Sequence, residues 1–178
     1  FLRSVEERII KPTISGLNQE GIPYKGFVFI GLIKVGPDPY VIEYNVRMGD
    51  PETEVVLPRL KNDLMELFLA LNDGSLQDQK IEVDTRAAAT IMLVSGGYPE
   101  QYEKGKIITG LDEHTDALKF HAGAAISENN NIVTSGGRVM AITSYGDTHD
   151  DAIRNSYQAI DQIRFEGMYF RKDIGFDL

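Results

Sequence analysis

Between Val41 and Glu52 an apolar, strand-like run meets Gly49-Asp50-Pro51, and the chain has to change conformation there. Gly-Asp-Pro ends a strand, and Asp before a Pro at the first helical position starts a helix. On the strand, Glu43 and Asn45 are two apart and share a face, and Arg47 is the next residue of the same parity. Residues 43–52 thus hold three carboxylates, one amide and one guanidinium. A carboxylate and an amide oxygen on one face suit a hard cation such as Mg²⁺. A guanidinium grips phosphate or carboxylate as a fork. The segment reads as a metal site continuing into an anion site and a turn. The competing reading is a half-exposed strand with Glu43 and Asn45 facing water and Arg47 in a surface ion pair of little worth. Asp50 and Glu52 cap the following helix, a role compatible with substrate contact.

The rest of the chain divides into two patterns. Residues 1–20 carry Leu2, Val5, Ile9, Ile10, Ile14 and Leu17 near helical spacing, with Pro12 expected to kink or split the helix. Residues 25–35 and 40–46 read as strands joined by the Gly36-Pro37-Asp38-Pro39 turn into an antiparallel hairpin. Residues 52–72 have an apolar stripe interrupted by Pro58, which predicts two helices or a bent one. From residue 86 short strands follow at 87–94, 106–110, 117–121, 124–127, 131–135 and 138–144, with a hairpin signal at Glu128-Asn129-Asn130-Asn131. One amphipathic helix over 148–164, capped by Thr148 or Asp147, closes the pattern.

With a net charge of −9, the 178-residue chain lacks the basic stripes that nucleic acid requires. It has no Cys, so disulfide and thiolate chemistry are excluded. No run approaches the roughly 18 apolar residues of a membrane helix. The first residue is Phe1, and a helical pattern begins there without a start signal, as expected of a piece of a longer protein.

Other features carry less. Gly96-Gly97-Tyr98-Pro99 reads as a structural turn. Ser135-Gly136-Gly137-Arg138 could cradle an anion through free N–H groups with Arg138 beside them. Neither is a phosphate-binding loop of the Gly-Lys-Ser/Thr kind. His121 is a lone histidine, more often structural than catalytic. His114 and His149 read as surface or cap residues, and no zinc grouping is present.

The run Ile42-Glu43-Tyr44-Asn45-Val46-Arg47-Met48-Gly49-Asp50-Pro51-Glu52-Thr53 resembles the signature of the phosphoribosylamine–glycine ligases (glycinamide ribonucleotide synthetases) of the ATP-grasp superfamily. Pro23-Tyr24-Lys25-Gly26, Gly97-Tyr98-Pro99, Tyr102-x-Lys104-Gly105, Phe120-His121-Ala122-Gly123, Ser135-Gly136-Gly137-Arg138-Val139 and Tyr169-Phe170-Arg171-x-Asp173-Ile174-Gly175 follow in the family's order. The resemblance implies that ATP phosphorylates the carboxylate of glycine and that the amine of 5-phosphoribosylamine attacks the acyl phosphate, an early step of purine synthesis. It places Glu43 and Asn45 on the ligands of Mg²⁺ or Mn²⁺, and Arg47 as catalytic. Arg47, Asp50, Glu52 and Arg138 fall in the substrate-binding set. Tyr44, Val46 and Met48 stand where the family more often has Phe, Cys and Phe, and are expected to face the core. Glu54 stands where Gln is usual.

The fold this implies is α+β. Residues 1–82 are expected to be the C-terminal part of an ATP-grasp domain. Residues 83–178 are expected to form a small β-rich barrel-like or sandwich-like domain with one long helix. Most of the ATP site and the first half of the grasp are expected N-terminal to this chain, as a missing partner without which it is inactive and residues 1–80 are short of cover. The implied setting is cytoplasmic, without nucleic acid or membrane. Two rivals stand: another ATP-grasp ligase or carboxylase acting on a different acid, and a non-catalytic binding domain of the same fold.

Overall fold

A computed structural model describes residues 1–176, and by internal packing the chain forms two units. The first takes residues 1–49 and 62–81, and the second residues 50–61 and 82 onward.

The first unit opens with helix α1 (Leu2–Val5), a π-helical turn at Glu6–Ile10 and α2 (Lys11–Gln19). Pro12 does not split the helix: the backbone stays right-handed helical from Leu2 to Gln19, and the wide π turn at Glu6–Ile10 just before Pro12 accommodates its missing N–H. Thr13 Oγ1 donates to the Ile9 carbonyl at 2.7 Å, satisfying an acceptor in that irregular stretch. The hairpin follows as expected: β1 (Phe29–Val35) pairs antiparallel with β2 (Asp38–Asn45) across Gly36-Pro37. The first strand begins four residues later than the sequence suggested, since Gly26 has φ 149° and the Tyr24 hydroxyl donates to the Phe27 carbonyl at 2.7 Å. Helix α3 (Thr53–Arg59), in the second unit, and α4 (Leu64–Asp73), in the first, are the two helices that Pro58 foretold. Asp63 caps α4 by accepting from the Met65 and Glu66 amides, and Gly74 ends it in the left-handed region at φ 88°.

The second unit is built on β7 (Arg138–Gly146), the central strand of a three-stranded antiparallel sheet between β3 (Ala87–Val94) and β4 (Leu118–His121). A separate hairpin joins β5 (Ala124–Ile126) to β6 (Ile132–Thr134). These sheets are open and do not close into the barrel that was one expectation; the α+β class holds. Residues 106–110 make only single bridges, Ile107 to Val133 and Thr109 to Arg164, in place of the expected strand. Helix α5 (His149–Ile160) starts at Thr148 with a reciprocal cap to Asp151, as expected, but stops at Ile160, short of 164. Beyond it the chain turns so that Ile163 still enters the core.

That core joins Ile91, Leu93, Val139, Met140, Ile142, Ile160 and Ile163, each essentially without solvent contact. The alternation of β7 lets Met140 and Ile142 be buried on one face while Ala141 and Thr143 are buried on the other. Gly110, at φ 78°, passes the chain beneath Gln162, and an added Cβ would lie 1.8 Å from the Gln162 carbonyl oxygen. Gly110→Ala combines that clash with left-handed strain and is expected to cost about 3 kcal/mol or more, read as a lowered urea midpoint.

Asp84 ties the entry to β3. Its carboxylate accepts from Arg86 Nη2 at 2.8 Å and from the Arg86 amide at 2.9 Å, and its carbonyl accepts from the Arg59 guanidinium. The Arg86 side-chain and backbone hydrogen bonds hold the Asp84 carboxyl well below the usual carboxylate range. A depressed carboxylate contributes stability above its ordinary value of about 4, and that contribution is lost as pH falls through the folded value. Asp84→Asn is therefore expected to lower Tm at pH 6 and to narrow its difference from the parent as pH drops below about 4, measured by thermal scans across that range.

Candidate functional site

The expected site residues fall in both units. In the first, Glu43 and Asn45 lie on β2, and Asn45 Nδ2 donates to Glu43 Oε1 at 3.0 Å. The two side chains share a face and reach each other, as the strand spacing required. Rotating the Asn45 amide would present an oxygen beside the Glu43 carboxylate, so donor type and mutual approach fit a hard cation. Among the described residues no group of three or more His, Cys, Asp or Glu forms a self-contained metal site. Glu43 and Asn45 would therefore hold such a cation only together with further oxygen donors, the ligand type that Mg²⁺ prefers.

A β-bulge shapes this strand. Gly31 pairs with Glu43 and Leu32 with Val41, leaving Ile42 as the extra residue beside Glu43. Gly31 also makes room: a Cβ there would sit 3.0 Å from Glu43 Cγ, so the carboxylate side chain lies across the bare glycine. Glycine inside an apolar strand pattern signals close approach or a bulge, and that signal at Gly31 was missed. Arg47 Nη1 donates to the Met48 carbonyl at 3.1 Å, beyond the end of β2. The expectation that Tyr44, Val46 and Met48 face the core fails for two of them. Tyr44 is 50% exposed and Val46 75% exposed, while Met48 is half-buried. Tyr44 does find a partner on the helix side, its hydroxyl lying 3.0 Å from Thr13 Oγ1.

In the second unit, Asp50, Glu52 and Arg138 are organised by β7. Thr143 Oγ1 donates to the Glu54 carbonyl at 2.9 Å and the Tyr145 hydroxyl to the Pro58 carbonyl at 2.6 Å. These odd-numbered side chains strap the segment around α3 to one face of the strand. Arg138 has the opposite parity and would point to the other face in a regular strand. A second bulge prevents this: Leu93 pairs with Met140 and Val94 with Arg138, so Val139 is the extra residue. Re-aimed, Arg138 Nη1 donates to the Asp50 carbonyl at 2.9 Å and Nη2 lies 3.3 Å from Asp50 Oδ2. Sequence reasoning brought Arg138 and Asp50 into one list without seeing that they bond. Glu52 is the N-cap residue of α3, although its side chain makes no capping hydrogen bond.

The glycine-rich run at 135–137 does not offer the free N–H cradle considered for it. The Ser135 and Gly136 amides both donate to the Gly123 carbonyl, at 2.7 and 3.1 Å. His121 ends β4 opposite Met140 and is exposed.

Two family models match the chain in order: the ATP-grasp (A) domain of phosphoribosylglycinamide synthetase over residues 1–53, and its C domain over residues 88–177. The chain is 43% identical to a phosphoribosylamine–glycine ligase of Caldanaerobacter subterraneus and 44% identical to one of Chlorobaculum tepidum, matching 97% and 98% of this chain. It spans 41% of the length of each of these relatives. A bifunctional purine biosynthetic protein of Dictyostelium discoideum is 45% identical over 95% of this chain and 22% of its own length. Among solved structures, the phosphoribosylamine–glycine ligase of Thermotoga maritima aligns with a TM-score of 0.78 and 37% identity, covering 97% of this chain and 42% of that one. The urea carboxylase of Kluyveromyces lactis shares the fold at 19% identity, with a TM-score of 0.52 over 75% of this chain and 12% of that one. No described helix is long and apolar enough to cross a membrane. With the C-domain model covering half of it and the A-domain model preceding that match, the chain belongs to the phosphoribosylglycinamide synthetase family, the phosphoribosylamine–glycine ligases.

Proposed function

We propose that the protein carrying this chain ligates glycine to 5-phosphoribosylamine at the expense of ATP. The terminal phosphoryl group of ATP passes to a glycine carboxylate oxygen, giving glycyl phosphate and ADP. The amine nitrogen of phosphoribosylamine then attacks the acyl carbon, phosphate leaves, and the nitrogen gives up a proton, yielding glycinamide ribonucleotide. The observation that carries this reading is the Glu43–Asn45 pair, held 3.0 Å apart on one face of a bulged strand, in a chain of this family.

Each residue has a role in that proposal. Glu43 and Asn45 would hold Mg²⁺ or Mn²⁺, which would supply charge neutralisation during phosphoryl transfer. Arg47 is the catalytic cation at the developing charge, and also contacts substrate. In the second unit, Asp50, Glu52 and Arg138 bind substrate, with Arg138 bracing Asp50. Residues 1–82 form the C-terminal part of the ATP-grasp domain and 83–178 the family's C-terminal domain, in a cytoplasmic enzyme. The remaining ATP-binding groups belong to a part of the enzyme outside this chain. Exposed Leu2, Ile42, Val46 and Leu69 in the first unit support that reading, since apolar side chains gathered on one small unit call for cover.

The test is ADP release by the full-length enzyme with and without each substrate, with the 178-residue chain run alongside. Release that needs both glycine and phosphoribosylamine, and that is absent from the short chain, is the expected result. Release dependent on another acid, as in an ATP-grasp carboxylase, or metal binding without nucleotide turnover, would replace the assignment. Turnover by the short chain alone would sink the claim that part of the ATP site lies elsewhere.

A further inference from the structure

In the second unit β7 outruns β4: the pairing ends at Leu118 opposite Thr143, and Ser144 and Tyr145 continue past it. A cavity of about 840 Å³ opens there, between the end of β7, the second half of α5 and the loop at 113–117. Its volume is that of a small-molecule site. Two hydroxyls of residues that line it, Ser144 Oγ and Thr115 Oγ1, are buried without a hydrogen-bond partner among the described residues. Ser144 is only 3% exposed. A buried hydroxyl left unpaired is costly, so such groups point to a molecule that completes them.

The surroundings restrict what that molecule is. Arg86 and His114 are the basic residues of the lining, and the Arg86 guanidinium is committed to the Asp84 carboxylate and lies 4.2 Å from the Tyr145 ring centroid. Glu113 and Asp116 bring two carboxylates to the same cavity. Anions are therefore disfavoured. Asn155 spends its amide nitrogen on the Tyr145 carbonyl at 2.9 Å, which leaves its oxygen as an acceptor, and Gln158 adds a second carboxamide. Hydroxyls and carboxamides offer donors and acceptors together, without net positive charge.

We propose that this cavity is a binding site for a small uncharged molecule carrying several hydroxyl groups, held through Ser144 and Thr115. Its lining is drawn from the second unit alone, and the proposal does not depend on the ligase reading. That hydroxyl chemistry is offered by a free polyol or by the ribose of a nucleoside, and the experiment separates them.

Saturation-transfer NMR on the full-length protein uses ribitol, adenosine and ribitol 5-phosphate as probes. Transfer to ribitol or adenosine that weakens at least about fivefold in Ser144→Ala is expected, and the stronger of the two names the source. Only Ser144-dependent signal counts, which separates this cavity from any nucleotide site elsewhere. Ser144→Ala should fold, because it deletes an unpaired hydroxyl, and its Tm without ligand should match or exceed the parent's. Thr115→Val gives a second, shape-conserving variant should Ser144→Ala fail to fold, with the same loss expected. Absence of transfer from both uncharged probes, transfer unchanged in both variants, or equally strong Ser144-dependent binding of the phosphate would each overturn the proposal.

Discussion

Glu43→Ala in the full-length enzyme is expected to lower kcat on the order of 10²–10³-fold while leaving the fold intact. The side chain is exposed, bonds to Asn45 among the described residues and packs over Gly31, so its removal neither opens a core cavity nor strands a buried partner. What it removes is the charged half of the proposed two-residue cation site. The loss should accordingly be steepest at low metal concentration, with excess Mn²⁺ or Mg²⁺ restoring part of the rate. Glu43→Gln, which keeps an oxygen donor but drops the charge, should fall between parent and alanine variant. Steady-state ADP release titrated with metal reads all three. Turnover within twofold of the parent across the titration would remove Glu43 from the site.

Leu93→Ala tests a different property, and its expected effect is the largest on stability. Leu93 is wholly buried on β3 opposite Met140, next to the bulge that re-aims Arg138. Truncating a leucine in a closed core costs about 2–5 kcal/mol, because the transfer free energy is lost and the cavity collapses only in part. Val46→Ala, at a side chain 75% exposed, should stay within about 0.5 kcal/mol. Urea unfolding of both variants measures the contrast. Equal midpoints would mean that the second unit has no single cooperative core around β7.

Local signals survived the passage from sequence to structure where local physics decides. Pro58 separated α3 from α4, Thr148 capped α5, and Gly36-Pro37 turned the hairpin, each through constraints acting within a few residues. Glu43 and Asn45 came together because a strand repeats every two residues. What was not legible depended on distant partners. The run at 106–110 has the composition of a strand, but its neighbours provide only isolated bridges. Arg138 could be nominated from its glycine-rich context, yet its bond to Asp50 needs a bulge at Val139 that is visible only once β3 is aligned with β7. Tyr44 and Val46 alternate with site residues as core residues would, and yet they are exposed among the described residues, because alternation names a face and not what covers it.

The placement of β7 has a consequence for the order in which the second unit can form during synthesis. Among the described residues β3 and β4 find their strand partner in β7, apart from one bridge from Val94 to the still later Tyr169, and β7 begins at Arg138, more than forty residues after β3 ends. As the chain leaves the ribosome, Ile91 and Leu93 emerge early and have no sheet to join until the central strand follows. Assembly is then a single late event in which β7 inserts between two waiting strands and α5 closes over it. For that interval the nascent chain carries the unpaired, apolar β3 strand, the condition in which chaperones and mispairing compete for the same surface.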